Sequence, residues 1–283
     1  MASPAPIGRA GSGGHVGENE DREAMRIAVA KKRVAYHAPG MDALPTRRDL
    51  TYRATSGARL LMDVYLPSPS GQNPPLVVLP MAYADPTARV RAYGPLTSWA
   101  QLLAASGMAA VVYGTEAPAE DVHAVLRHVR AEADALGVND DRIGIFATSA
   151  NVAVGLSALM HDRRLACAAF LYGYTMDLNG STAIADVSAQ FGFVNACAGR
   201  SPDDLPADTP TLFVRAGHDE FPGLNAALDE VVRQAVGRNL PIWFINHATA
   251  SHGFDLDDSS LSSRRVIEHV LSFFRVHLVP WEL

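Results

Sequence analysis

The chain has 283 residues, 48% of them hydrophobic, and a formal net charge of −6, which suits one large α/β domain and excludes a nucleic-acid surface of clustered Lys and Arg. No apolar run approaches the ~18–20 residues of a membrane span, and Cys167 and Cys197, without CxxC spacing, exclude a disulfide scaffold, a zinc ribbon and a redox pair. The expectation is a protein of the reducing cytoplasm with no nucleic-acid or membrane partner.

Residues 1–21 are rich in Gly, Ala, Ser and Pro and lack the apolar core of a secretory signal, so they read as a disordered tail. Residues 21–34 carry Met25, Ile27 and Val29 among charges and admit a short helix, which Pro39 and Pro45 then break off. Residues 1–45 thus read as a partly disordered N-terminal extension, and 46–283 as the folded domain. Residues 49–54 and 60–66 alternate around Ser56-Gly57, the pattern of an antiparallel strand pair. A loop over 67–75 follows. From there strands are expected at 76–79, 108–113, 143–148, 165–172, 211–216 and 240–245, with helices at 99–106, 120–136, 152–161, 225–236 and 263–278. Leu76-Val77-Val78-Leu79 is wholly apolar, as a strand covered on both faces should be. Val122, Val125, Leu126, Val129 and Ala133 recur near helical spacing. This alternation predicts an α/β fold, a mostly parallel sheet with helices on both faces. Residues 173–208 interrupt the rhythm; an insertion of that length is commonly functional and reads as a small cap. Its Tyr174, Met176, Phe191 and Phe193 predict an apolar pocket, while Arg89, Arg91 and Arg200 are the cations available to an anionic substrate. The apolar end at 278–283 either packs on its own domain or docks on a second subunit, which leaves a homodimer open.

The chemistry centres on Ala147-Thr148-Ser149-Ala150-Asn151, where an apolar strand meets a helix-forming run. A serine held at such a strand-to-helix turn projects its hydroxyl above the sheet edge; the plainer alternative is a serine capping the helix. The pattern departs from G-x-S-x-G at Ala147 and, more seriously, at Asn151. A serine hydroxyl needs a base within hydrogen-bond reach, and that base needs a group to orient it. Asp219 follows the strand and turn Leu212 to His218 at the sheet edge where sites form; Glu220 is the alternate acid. His252 lies in a long loop before the last helix and can reach across to Ser149, with His247 as its rival. Negative charge developing on a substrate carbonyl needs N–H donors. Ala150 should supply one, and Met81 or Ala82, in the loop after strand 76–79, the other. Tyr83 and Tyr174 are candidates for contact with a small-molecule substrate. No histidine pair has metal-binding spacing, so no metal or other cofactor is expected.

On the elbow 147–151, on Arg215-Ala216-Gly217-His218-Asp219-Glu220 and on Ser251-His252-Gly253-Phe254-Asp255, the chain resembles the α/β-hydrolases, and within them the dienelactone-hydrolase-like branch, over residues 47–278. The resemblance implies a cofactor-independent hydrolase of esters, lactones or peptides, with Ser149 as nucleophile, Asp219 as acid and His252 as base. Two other functions stay open. One is an acyltransferase or cyclase using the same acyl-enzyme, which differs only in its acceptor. The other is a non-catalytic binding protein on this fold, a reading that Asn151 and the loop 80–83 favour.

Overall fold

The computed structural model describes residues 24, 27–54, 59–68, 73–86 and 91–279. The tail 1–21, Met25, the Ser56-Gly57 turn, Arg89 and residues 280–283 lie outside them. Strands β1 (Thr46–Ala54) and β2 (Arg59–Tyr65) pair antiparallel. Then follow β3 (Leu76–Leu79), α1 (Gly94–Ala105), β4 (Ala109–Tyr113), α2 (Pro118–Ala131), β5 (Ile143–Thr148), α3 (Asn151–His161) and β6 (Cys167–Leu171). The chain ends with α4 (Ala183–Phe191), β7 (Thr211–Ala216), α5 (Leu224–Gly237), β8 (Ile242–His247) and α6 (Leu261–Leu278).

Among the described residues, eight strands form one sheet in the order β1-β2-β4-β3-β5-β6-β7-β8. β2 is antiparallel to β4, and the six strands from β4 to β8 run parallel. Every residue of β3, β4 and β6 is buried, which is why these segments are apolar throughout rather than alternating. Helices α2 to α5 cover one face, around Phe170, Phe213, Val125 and Leu156. Helices α1 and α6 cover the other, around Trp99, Phe146, Ile267 and Phe274. Each such side chain contributes about 1.5–3 kcal/mol by leaving water.

Some boundaries differ from expectation for local reasons. Helix α1 begins five residues early because Pro95 fits a first helical turn, where no backbone donor is needed. The run 120–136 splits at Glu132 (φ −108°, ψ 17°), and a separate turn, Ala133–Leu136, ends in left-handed Gly137. Strand β8 extends to His247, where the sequence pattern predicts a loop. Among the described residues no helix is long and apolar enough to cross a membrane.

The strand order reverses between β3 and β5. β3 is followed by β4 on one side, after which the chain crosses back to β5 on the other. The carboxyl ends there open a crevice, the usual place for a site in such a sheet.

Candidate active site

Ser149 sits at the end of β5 with φ +53°, a backbone region that few non-glycine residues occupy. The turn is held by Ser149 N–H on the Leu171 carbonyl (3.0 Å), while the Ser149 carbonyl accepts from Val152 N–H (3.2 Å) and Tyr174 N–H (3.3 Å). Helix α3 leaves the turn close against the sheet. A Cβ at Gly155 would lie 2.8 Å from Phe170 Cε1 and 3.2 Å from Ala147 Cβ. Gly155 thus makes the room that lets alanine stand at 147, where the elbow pattern has glycine.

His252 Nε2 lies 2.7 Å from Ser149 Oγ, and its Nδ1 lies 2.7 Å from Asp219 Oδ2. The Asp219 side chain is fully buried, and its Oδ1 accepts the Phe221 N–H at 3.0 Å. Asp219 and His252 come from loops that cross at close quarters. Gly217 N–H donates to the His247 carbonyl (2.9 Å) and His218 N–H to the Ala250 carbonyl (2.8 Å). A Cβ on Gly217 would sit 2.2 Å from the Ala248 oxygen, so the crossing requires glycine. The rivals are elsewhere: Glu220 is exposed, and His247 is buried with Nε2 2.8 Å from Ser263 Oγ. Burial holds the His247 pKa below the ordinary histidine range.

The His252 ring meets Tyr172 and Phe221 edge-on, at centroid distances of 4.8 and 4.6 Å. Behind Tyr172 lies Asp255, wholly enclosed. Its carboxylate accepts from the Tyr172 hydroxyl and from Trp99 Nε1 (2.6 Å). Burial pushes the Asp255 pKa up, and these two donors pull it back. Trp99 is 156 residues away in sequence, so no local pattern could announce this support.

A cavity of about 600 Å³ opens over Ser149. Its wall includes Ala150, Asn151, His252, Met81, Tyr83, Tyr174, Phe191 and Phe193. Tyr83 and Tyr174 thus stand where a substrate contact is expected, and burial raises the Tyr174 pKa further above its already high ordinary value. Met176 is not on the wall; it is fully buried in the core beneath the insertion. Nor do Arg91 or Arg200 face the cavity. Arg91 pairs with Asp63 (2.6 Å) and Asp49 (2.7 Å), and Arg200 reaches Asp204 (3.6 Å) and His161. The N-terminal segment contributes unexpectedly: Ile27, Val29, Ala30 and Lys32 form part of the wall, with Lys32 paired to Asp257 at 2.6 Å. That segment passes directly over Gly94, where a Cβ would meet the Lys32 oxygen at 2.2 Å.

The donors for a carbonyl oxygen are arranged differently from expectation. Ala150 N–H lines the cavity and has no hydrogen-bond acceptor among the described residues. Ala82 does not fill the second place. It is fully buried and off the cavity wall; its N–H donates to Asn151 Oδ1 (2.9 Å) and its carbonyl accepts from Val194 N–H (2.8 Å). The cause is plain: the side chain at 151, absent from a glycine elbow, reaches the loop and takes that N–H. Met81 lines the cavity, and its N–H has no well-formed hydrogen bond among the described residues.

No protein-family model matches the sequence, and no curated protein matches it. Solved structures do. A thermostable esterase from Pseudomonas putida ECU1011 superposes with a TM-score of 0.72 at 13% identity, over 93% of this chain and 92% of that one. Bacterial heroin esterase gives 0.69 at 14% identity, over 92% and 91%. Carboxyl esterase 2 from the mycorrhizal fungus Tuber melanosporum gives 0.64 at 15% identity, over 91% and 98%. At these identities the likeness establishes the fold: the chain has the α/β-hydrolase fold, with a mostly parallel sheet between two helical layers.

Proposed function

We propose that this protein is a serine hydrolase that cleaves a small carboxylic ester or lactone through an acyl-enzyme on Ser149. The observation that carries the reading is the continuous path from Ser149 Oγ through His252 to Asp219, with both links at 2.7 Å, on the wall of a largely apolar cavity. That the solved structures of like fold include esterases adds support.

His252 takes the Ser149 proton at Nε2 as Oγ attacks the carbonyl carbon. Asp219 holds the other ring nitrogen and stabilises the imidazolium that forms. The carbonyl π-pair moves to oxygen, and Ala150 N–H donates to that oxyanion. Collapse of the tetrahedral species expels the alkoxide, which leaves as alcohol with the proton from His252. Water, deprotonated by the same histidine, then cleaves the acyl-enzyme and returns the carboxylic acid and free Ser149. No cofactor enters these steps. The apolar wall of Phe191, Phe193 and Tyr174 suits an uncharged acyl or alkoxy group, since Lys32 is engaged by Asp257. The motifs at 215–220 and 251–255 favour a place in the dienelactone-hydrolase-like branch, which makes lactones worth testing beside simple esters.

The test is intact mass after treatment with a fluorophosphonate, on wild type and Ser149→Ala. One adduct on wild type and none on the variant is the expected result, with turnover of short-chain esters or lactones lost in the variant. A folded wild type that takes no adduct overturns the reading.

A further inference from the structure

The residue that breaks the elbow pattern is also the one that changes the donor arrangement. Asn151 is the first residue of α3, two positions past Ser149, and lines the same cavity. Its amide orientation follows from its partner: Ala82 N–H is a donor, so the atom facing it at 2.9 Å is the acceptor Oδ1. The other limb of the planar carboxamide is Nδ2, with two N–H groups. Among the described residues Nδ2 donates to nothing, yet it is not sealed from solvent, although Asn151 is only 8% exposed. An amide nitrogen left unpaired and sealed inside a protein costs about 1–3 kcal/mol. Here the exposure that remains opens on the cavity. The start of α3 also presents the unengaged Ala150 N–H, and helix N-termini favour negative charge.

Resting on the hydrolase reading above, we infer that Asn151 supplies a further donor to the reacting carbonyl oxygen through Nδ2, in place of the Ala82 N–H. The side chain that takes the Ala82 N–H out of use offers its own N–H groups instead. The loop serves as the clamp: Ala82 N–H on Oδ1 and Val194 N–H on the Ala82 carbonyl fix the carboxamide before substrate arrives. A donor fixed in advance needs no reorganisation when charge develops.

The competing account is that Asn151 only anchors the loop. Asn151→Asp separates the two, because aspartate keeps the acceptor for Ala82 N–H and the shape of the side chain but replaces the donor limb with an anionic oxygen. The probe is a fluorophosphonate, whose P=O oxygen occupies the same donor site while the Ser149 oxygen displaces fluoride. Wild type, Asn151→Ala and Asn151→Asp are compared by kinact and KI for labelling of Ser149, with circular dichroism confirming that each is folded. The inference predicts that kinact falls about 10²–10³-fold in Asn151→Ala and at least as far in Asn151→Asp, while KI changes little. Near-wild-type kinact in Asn151→Asp, with loss confined to Asn151→Ala, overturns it and leaves a loop anchor. If wild type itself takes no label, the hydrolase reading falls and this inference with it; if wild type labels and Asn151→Asp labels equally fast, only the inference falls.

Discussion

On one side of Ser149, the histidine and its acid are held by partners that the expected residues themselves supply. His252 spans Ser149 and Asp219, both Asp219 oxygens are engaged, and the two loops cross through backbone hydrogen bonds at Gly217 and His218. On the other side, toward β3, one of the two expected backbone donors is already taken: Ala82 N–H is bonded to Asn151. The His252–Asp219 side is thus built from backbone crossings that tolerate one arrangement. On the reading proposed above, the oxyanion side is built around one side chain, Asn151, so there a single substitution removes a donor without disturbing that crossing. A histidine base demands a fixed line of three groups, whereas a carbonyl oxygen accepts any N–H placed near it.

Three substitutions test that contrast, beginning with the largest effect. Asp219→Asn should lower kcat about 10⁴-fold by leaving His252 in the wrong tautomer, with fold and KM little changed; steady-state kinetics on an aryl ester checks this. A loss below about tenfold would mean that His252 is oriented by something other than Asp219. Gly217→Ala attacks the crossing itself. Its Cβ would meet Ala248 backbone, with the oxygen at 2.2 Å, so the acid and histidine loops must part. A misplacement of about 1 Å costs on the order of 10²-fold in rate, and unfolding midpoints should fall as well. Full activity in this variant would show that the loops can separate without moving Asp219 from His252.

The smallest effect concerns stability. His247, at the foot of the same crossing, is 5% exposed and buried in a neutral form, with its pKa lowered. Ser263 Oγ donates to Asp258 (2.6 Å), so it accepts the proton of His247 Nε2. Between the lowered folded pKa and the ordinary value near ~6.5, the unfolded chain binds a proton that the folded chain does not. Stability from this group is therefore complete above that ordinary value and declines as pH falls through the window. Thermal midpoints from about pH 7.5 down to about 5.5 should decline in wild type, and His247→Gln, which keeps a donor for Ser263, should flatten part of that slope. An unchanged slope would place the pH sensitivity elsewhere.

Much of the architecture is legible in the amino-acid sequence. Strand runs such as 76–79 and 143–147 carry no polar side chain because both faces are covered, and Gly107 and Gly137 end their helices for reasons contained within a few residues. Ser149, Asp219 and His252 stand out for the same kind of reason, each lying just past an apolar strand. What is not legible is equally specific. Choosing His252 over His247 from sequence rests on loop length alone; the fold adds that β8 runs on through His247 and turns it onto Ser263. Asp255 is visible only as part of a motif, and its partners Trp99 and Tyr172 lie 156 and 83 residues away.

The sequence by itself therefore determines the alternation of strands and helices, the serine at a strand-to-helix turn, and an acid and a histidine in the order that such a turn requires. These follow from hydrophobic period and turn chemistry, which act over a few residues. Tertiary structure alone decides that Ile27, Val29, Ala30 and Lys32 wall the cavity, that Arg91 is spent on Asp63 and Asp49, and that Asn151 takes the N–H of Ala82 across 69 residues of chain. Each depends on which distant segments are brought within hydrogen-bond distance, and that is set by the packing of the whole sheet rather than by any stretch of it.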